Sequence, residues 1–150
     1  MTWSPRIFYG TFGAANLGLI LYGLLALFNP QILTDSFSVR IYQFPPEASA
    51  ALAYLEALFR LLGFFNLLAG SLGLWFLWRY RRNPQAWLAG TVITVSLLAY
   101  LAPVIFDNTV GHIGFFEIVE HLLFAAMFTV GVLHLFQRKD ADGKDRHSNG

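Results

Sequence analysis

The sequence predicts an all-α membrane protein, a bundle of four membrane-spanning helices with both termini on the cytoplasmic side. Of its 150 residues, 56% are hydrophobic and only 13% are charged, whereas about 25% of residues are charged in ordinary soluble domains. The apolar residues are gathered into four long segments, and most basic residues lie at one set of segment ends. Because these segments account for nearly the whole chain, we predict a single membrane domain over residues 1–136.

Each apolar segment is long enough to cross a bilayer, which takes about 20 residues as a helix. The predicted spans cover about residues 7–28, 50–78, 86–106 and 113–136. The bilayer core offers no water to backbone groups, so such segments must be helical. The first segment is longer than the apolar region of a cleavable signal peptide, about 7–15 residues, and it ends at Asn29-Pro30 rather than at a small-x-small site. We therefore expect it to be retained.

The connections between the spans differ in length and character. The long connection, residues 29–47, holds Pro30, Pro45 and Pro46, which oppose a continuous helix. Its middle, Phe37 to Tyr42, alternates roughly with period two, which fits a short strand, an interfacial cap or an irregular loop. The connection from 107 to 112 is short. The polar segment 137–150 predicts a disordered cytoplasmic tail.

The basic residues predict the orientation of the bundle. Eight of them flank one set of helix ends: Arg6, Arg79, Arg81, Arg82, Arg138, Lys139, Lys144 and Arg146. Only Arg40 lies in the opposite connections, so the positive-inside rule places both termini in the cytoplasm. All four tryptophans lie at the same border, as interfacial anchors do: Trp3, Trp75, Trp78 and Trp87.

Small residues predict where helices approach closely. Gly10, Ala14 and Gly18 recur every fourth residue on the first span. The second span carries a similar stripe of Gly63, Asn66, Gly70 and Gly73. Small residues form the tight contacts of membrane helices, and the midspan residues Asn16 and Asn66 are expected to hydrogen-bond between helices.

Ionisable residues inside the spans form the candidate site. They are Glu56 and Arg60 on the second span, and Glu117, Glu120 and His121 on the fourth. Arg60 lies about 27 Å and Glu120 about 24 Å above the cytoplasmic ends of their helices, at 1.5 Å per residue. Because charged groups inside a membrane are costly, such residues pair, line a cavity or handle substrate. We therefore predict that Arg60 lies within reach of Glu117 or Glu120.

Three interpretations of this cluster remain open. Arg60 could bridge Glu56 and a glutamate of the fourth span, locking the bundle. The same groups could line an outward-opening pocket for a lipid or quinone headgroup. Glu56, Glu117, Glu120 and His121 could hold a divalent ion. Arg60 at the same level opposes a bound cation, and the Glu-x-x-His pair of bundle di-metal sites is absent from the sequence. We therefore assign no metal.

Several functional classes are disfavoured by composition. The chain has no cysteine, which excludes disulfide scaffolds, thiolate metal sites and thiol redox chemistry. Its net charge of +1 does not predict nucleic-acid binding. The histidines lie away from the middle of the spans, which disfavours a tetrapyrrole cofactor.

The second span and the segment before it carry a resemblance to a known group. The residues concerned are Pro45-Pro46-Glu47, the run Tyr54 to Gly63 with Glu56 and Arg60, and the run Asn66 to Gly70. This pattern resembles the small four-helix membrane proteins of the broad DoxX-like group, in which an arginine precedes a glycine-rich stripe. The resemblance implies a bacterial cytoplasmic-membrane protein, and some members of the group are associated with quinone-linked oxidation. The glutamate-rich fourth span departs from that pattern.

The function predicted from these observations is an accessory, multi-pass membrane protein that binds a lipid or quinone headgroup on its extracytoplasmic side and has no catalytic activity of its own. Two alternatives remain, a membrane subunit of a quinone-linked oxidoreductase and a structural subunit of a larger membrane complex. The expected partners are membrane lipids and either further copies of the chain or other subunits.

Overall fold

The computed structural model describes residues 5–37, 49–110 and 115–148, and these residues form five helices. They are α1 (Pro5–Phe28), α2 (Pro30–Phe37), α3 (Ser49–Arg82), α4 (Ala86–Val110) and α5 (Phe115–Ser148). Four contain segments long and apolar enough to cross a membrane: Pro5–Phe28, Ser49–Arg82, Ala86–Ile105 and Glu117–Gln137. The predicted fold class, a four-span helical bundle of a multi-pass membrane protein, is confirmed.

Successive spans run in opposite directions around the bundle. The packing order is α1, α3, α4 and α5, with α5 returning to α1, and the most extensive contact joins α1 to α3. One diagonal pair, α1 and α4, also touches. Across the other diagonal, the backbones of α3 and α5 do not approach each other over the described residues, although these helices meet through the side chains of Tyr80 and His134. Residues on α3 and α5 therefore occupy opposite corners of the bundle even where they lie at the same depth.

The contact between α1 and α3 is close because glycines lie on both helices. A Cβ atom added at Gly63 would lie 2.8 Å from the carbonyl oxygen of Gly23, and one added at Gly23 would lie 2.7 Å from the carbonyl oxygen of Gly63. At Gly70, an added Cβ would lie 2.6 Å from the carbonyl oxygen of Asn16. The predicted stripe on the second span is confirmed as a buried packing face, with Gly63, Asn66, Gly70 and Gly73 all buried.

The predicted packing face of the first span is wrong at Gly10 and Ala14, whereas Gly18 does lie close to another helix, at the Tyr100 hydroxyl of α4. Gly10 and Ala14 are exposed, and a Cβ at Gly10 would have no neighbour within 4 Å. The residues of α1 that are buried are Phe8, Phe12, Ala15, Asn16, Leu19, Gly23 and Ala26. Small residues lie on more than one face of this helix, so their spacing alone could not identify the face that meets α3.

The long connection after α1 begins with a short helix rather than a loop. The Asn29 N–H donates to the carbonyl oxygen of Leu25 at 2.8 Å, which ends α1. Pro30 then starts α2, a position that suits proline because the first residue of a helix needs no N–H partner. Pro30 is buried, and α2 packs on α3. The proposed strand or cap after Phe37 lies outside the described residues.

The last helix continues beyond the predicted fourth span. α5 extends to Ser148, where a disordered tail from residue 137 was expected. The apolar segment ends near Gln137, so the polar residues after it prolong a helix that the span has already nucleated. Propagation adds one hydrogen bond for each residue ordered and is far easier than nucleation.

Aromatic residues fill the core at the end of the bundle that carries Arg6, Arg79, Arg81 and Arg82, here called the arginine end. The Tyr80 hydroxyl and His134 Nε2 are hydrogen-bonded at 2.7 Å, and Phe8 stacks on His134 with ring centroids 4.1 Å apart. Large apolar side chains cover the outside, among them Leu21, Phe28, Leu98 and Leu122. An extended apolar surface of this kind suits contact with lipid.

Candidate ligand site between α4 and α5

The structure divides the predicted charge cluster into two parts. Glu56 and Arg60 lie on α3, with Glu56 partly buried and Arg60 exposed. Glu117, Glu120 and His121 lie on α5 and are all partly buried. Because α3 and α5 lie across a diagonal of the bundle, these two groups belong to different corners.

The predicted pairing of Arg60 with the fourth span is not observed. Within residues 5–37, 49–110 and 115–148, Arg60 makes no ion pair with Glu117, Glu120 or the nearby Glu56. The position of a residue along its helix gives its depth in the membrane. It does not give the side of the helix on which the residue lies or the neighbouring helix that it meets. The interpretation in which Arg60 bridges the two helices and locks the bundle therefore has no support from these contacts.

His121 forms a hydrogen-bonded connection between α4 and α5. Its Nδ1 lies 2.6 Å from the carbonyl oxygen of Glu117, and its Nε2 lies 3.1 Å from Nδ2 of Asn108. The Asn108 Nδ2 group also donates to the carbonyl oxygen of Val104 at 2.7 Å. Carbonyl oxygens only accept, so the network fits a neutral imidazole that donates from Nδ1 and accepts at Nε2. This tautomer follows from the hydrogen-bond partners.

Tyr100 is buried, and Glu120 on the neighbouring α5 is within electrostatic range of it. The Tyr100 hydroxyl donates to the carbonyl oxygen of Ala15 at 2.9 Å, which ties α4 to α1. Gly18 leaves room for this hydroxyl, since a Cβ there would lie 3.3 Å from it. Tyr100, Asn108, Glu117, Glu120 and His121 are called the α4–α5 site below.

The α4–α5 site presents hydrogen-bonding groups rather than a ligand set for a metal. Both ring nitrogens of His121 are engaged, by Glu117 and Asn108. Among the side chains that the structure describes, no group of three or more His, Asp or Glu residues could hold a metal ion. The arrangement is suited to binding a polar group that donates hydrogen bonds to the Glu120 carboxylate and to the amide oxygen of Asn108.

A second polar contact lies deeper, inside the core. Asn16 Nδ2 donates to the carbonyl oxygen of Phe12 at 2.7 Å and to Ser96 Oγ at 2.8 Å, so it links α1 to α4. The Oδ1 atom of Asn16 is buried without a hydrogen-bond partner and lies against Gly73, where an added Cβ would overlap it. Because Asn16 and Ser96 are both fully buried, this contact is part of the packing and is closed to a ligand.

Two residues of the α4–α5 site were missed by sequence reasoning, Tyr100 and Asn108. Tyr100 stands in an uncharged apolar run, and Asn108 was assigned to the short connection that starts at residue 107. In the structure, α4 continues to Val110. The signal that could have found Asn108 is the hairpin itself, because a short connection between antiparallel helices places residues on either side of it next to each other.

Comparisons with known proteins give no family for this chain: no family model, no curated protein and no solved structure matches it. The resemblance to the DoxX-like group therefore stays a prediction.

Proposed function

We propose that the α4–α5 site binds the headgroup of an amphipathic membrane molecule, either a lipid or a quinone, and that the protein acts as an accessory membrane protein. The observation that supports this function is the hydrogen bond between His121 and Asn108 on adjacent membrane-spanning helices, with the partly buried Glu120 next to His121 on α5. Glu120 and His121 are only partly buried, so each has a side that packs and a side that is open.

The polarity of the α4–α5 site favours a headgroup that donates hydrogen bonds. Carboxylate oxygens only accept, and the Nδ2 group of Asn108 already donates to Val104 and His121, so this side chain presents its amide oxygen, an acceptor, to a headgroup. A quinone in its reduced, quinol form donates from two hydroxyl groups, and phosphatidylethanolamine donates from an ammonium group. Either one could hydrogen-bond Glu120 while its apolar chain lies along the apolar outer surface of the bundle.

A ligand from the membrane is favoured over a soluble one because of where these residues lie. Glu117, Glu120 and His121 stand at the start of the segment Glu117–Gln137, and Tyr100 lies within Ala86–Ile105. Ionisable residues at such depth are costly to keep, and a functional role in binding accounts for their presence.

The proposed ligand can be identified by mass spectrometry of what the protein retains after mild extraction from a bacterial membrane. The wild-type protein should retain a quinone or an ethanolamine lipid, and Glu120→Gln should retain at least about tenfold less. His121→Ala, which removes the hydrogen-bond partner of Asn108, should also retain less. A hydrogen bond to a charged group contributes about 1.5–3 kcal/mol, and 1.4 kcal/mol is a factor of ten.

Thr94→Val is the matched control for this experiment. Thr94 is exposed on α4, away from the residues of the site. The Thr94→Val protein should therefore retain as much ligand as the wild type. Equal retention by all four proteins would show that the α4–α5 site does not hold the ligand. The identity of the retained molecule separates the quinone from the lipid.

We propose that the protein lies in the bacterial cytoplasmic membrane, as the resemblance to the DoxX-like group implies, and that both termini and the α3–α4 turn are in the cytoplasm. The support is the distribution of basic residues, eight at one set of helix ends against Arg40 alone at the other. Cytoplasmic loops carry this excess of arginine and lysine.

Reporter fusions test this orientation. A reporter that works only in the cytoplasm should be active when it is fused after Met1, Asn83 or Gly150. A reporter that works only outside the cytoplasm should be active when it is fused after Ser38. A cytoplasmic signal from the Ser38 fusion would reverse the proposed topology.

A further inference from the structure

We propose a second binding site, at the arginine end of α3, for the phosphate of an anionic phospholipid, with Arg79 and Arg82 as its ligands. This site lies at the opposite end of the bundle from the α4–α5 site and does not depend on the function proposed above.

Two arginine–tryptophan pairs hold the guanidinium groups in place. The guanidinium carbon of Arg82 lies 4.2 Å from the centre of the Trp78 ring, and that of Arg79 lies 5.5 Å from the centre of the Trp75 ring. In each pair the residues are four apart, so both pairs stand on the surface of one helix. A guanidinium held over an indole keeps its N–H groups for another partner, and its planar fork matches a phosphate.

Both pairs are at the surface of the protein. Arg79, Arg82, Trp75 and Trp78 are all exposed, and Arg81, between the two pairs in sequence, is exposed as well. Three guanidinium groups therefore stand in the last turn of α3. The sequence contains no aspartate or glutamate from residue 57 to residue 106. The acidic residues that bound this stretch, Glu56 and Asp107, belong to the parts of α3 and α4 remote from Arg79 and Arg82 in sequence.

The adjacent turn adds a third tryptophan at the same end of the bundle. The N–H of Asn83 donates to the carbonyl oxygen of Arg79 at 2.9 Å, so the chain turns immediately after α3. Trp87 follows at the start of α4, exposed, with its indole N–H donating to the side chain of Gln85.

These features fit a lipid headgroup better than a soluble phosphate. Exposed tryptophans settle at the level of the lipid headgroups, where their rings are partly apolar and partly wet. The arginine N–H groups are then held at the depth of the lipid phosphates. An anionic lipid adds a net negative charge, and its attraction is about 1 kcal/mol for each basic residue near the surface.

Native mass spectrometry of the full chain in detergent can measure this site by titration with phosphatidylglycerol. The wild type should bind phosphatidylglycerol more tightly than phosphatidylcholine. Arg79→Gln and Arg82→Gln should each weaken phosphatidylglycerol binding about fivefold, the factor that corresponds to one basic residue. Trp78→Leu keeps every charge but removes the surface on which Arg82 rests, so it should also weaken binding.

Arg60→Gln is the matched control, since Arg60 is an exposed arginine of the same helix near its other end. It should leave phosphatidylglycerol binding unchanged. The proposal is overturned if Arg60→Gln weakens binding as much as Arg82→Gln, or if neither Arg79→Gln nor Arg82→Gln has an effect. Inorganic phosphate should not displace the lipid at millimolar concentration, and displacement would instead identify a site for the free anion.

Discussion

Gly63→Ala is expected to lower the free energy of unfolding by about 1–3 kcal/mol, the cost of overpacking a close contact. The added Cβ would lie 2.8 Å from both the Gly23 carbonyl oxygen and the Leu27 backbone nitrogen. Both are backbone atoms, so α1 and α3 must move apart, because no side-chain rotation relieves the overlap. Unfolding by sodium dodecyl sulfate in mixed micelles, followed by circular dichroism, gives this free energy.

The sign of the change in the free energy of unfolding distinguishes an effect on packing from an effect of helix propensity. Alanine is favoured over glycine inside a helix by about 1 kcal/mol. Gly10→Ala and Gly90→Ala are the matched controls, since a Cβ at either position would have no neighbour within 4 Å. Both should be neutral or stabilising. If Gly63→Ala were also neutral or stabilising, the close contact between α1 and α3 would be contradicted.

Asn16→Asp is expected to destabilise the bundle by about 2.5–3.5 kcal/mol, the cost of a charged side chain at the centre of a membrane helix. The Nδ2 atom of Asn16 lies 2.7 Å from the Phe12 carbonyl oxygen. In Asn16→Asp, a carboxylate oxygen replaces the Nδ2 donor and faces the carbonyl oxygen of Phe12. The same unfolding measurement reports the loss.

Ser96→Ala separates this effect from the loss of a single hydrogen bond. It removes only the acceptor that lies 2.8 Å from Asn16 Nδ2. Hydrogen bonds between membrane helices contribute about 0.6 kcal/mol on average, so Ser96→Ala should cost far less than Asn16→Asp. Equal stability of Asn16→Asp and the wild type would show that Asn16 is not enclosed as the structure has it.

The sequence predicted the spans because their length and hydropathy are properties of one helix at a time. It also identified the packing face of α3, where small residues from Gly63 to Gly73 share one side. It failed on α1, where Gly10 and Ala14 have the same spacing but face outwards. The spacing of small residues shows which faces could pack closely, and only the neighbouring helices decide which of them do.

For the candidate site as well, the sequence predicted the depth of the residues in the membrane but not the helices that they face. The sequence predicts the five ionisable residues near one level, but the backbones of α3 and α5 lie across a diagonal of the bundle, and the two helices meet through Tyr80 and His134 at the arginine end. Among the described residues, Arg60 accordingly makes no ion pair with Glu117 or Glu120. His121 contacts Asn108 instead, because α4 and α5 are adjacent helices joined by a short connection.

The direct test of the central claim, that the α4–α5 site binds an amphipathic headgroup, is nuclear magnetic resonance of protein labelled with nitrogen-15 in histidine. The signals of His121 are assigned by their loss in His121→Ala. Without ligand, His121 should show a neutral ring protonated at Nδ1. Addition of decylubiquinol or of short-chain phosphatidylethanolamine should shift the His121 signals and leave those of His134, in the core of the arginine end, unchanged. If neither probe shifts His121, or if His121 and His134 shift alike, the claim is contradicted.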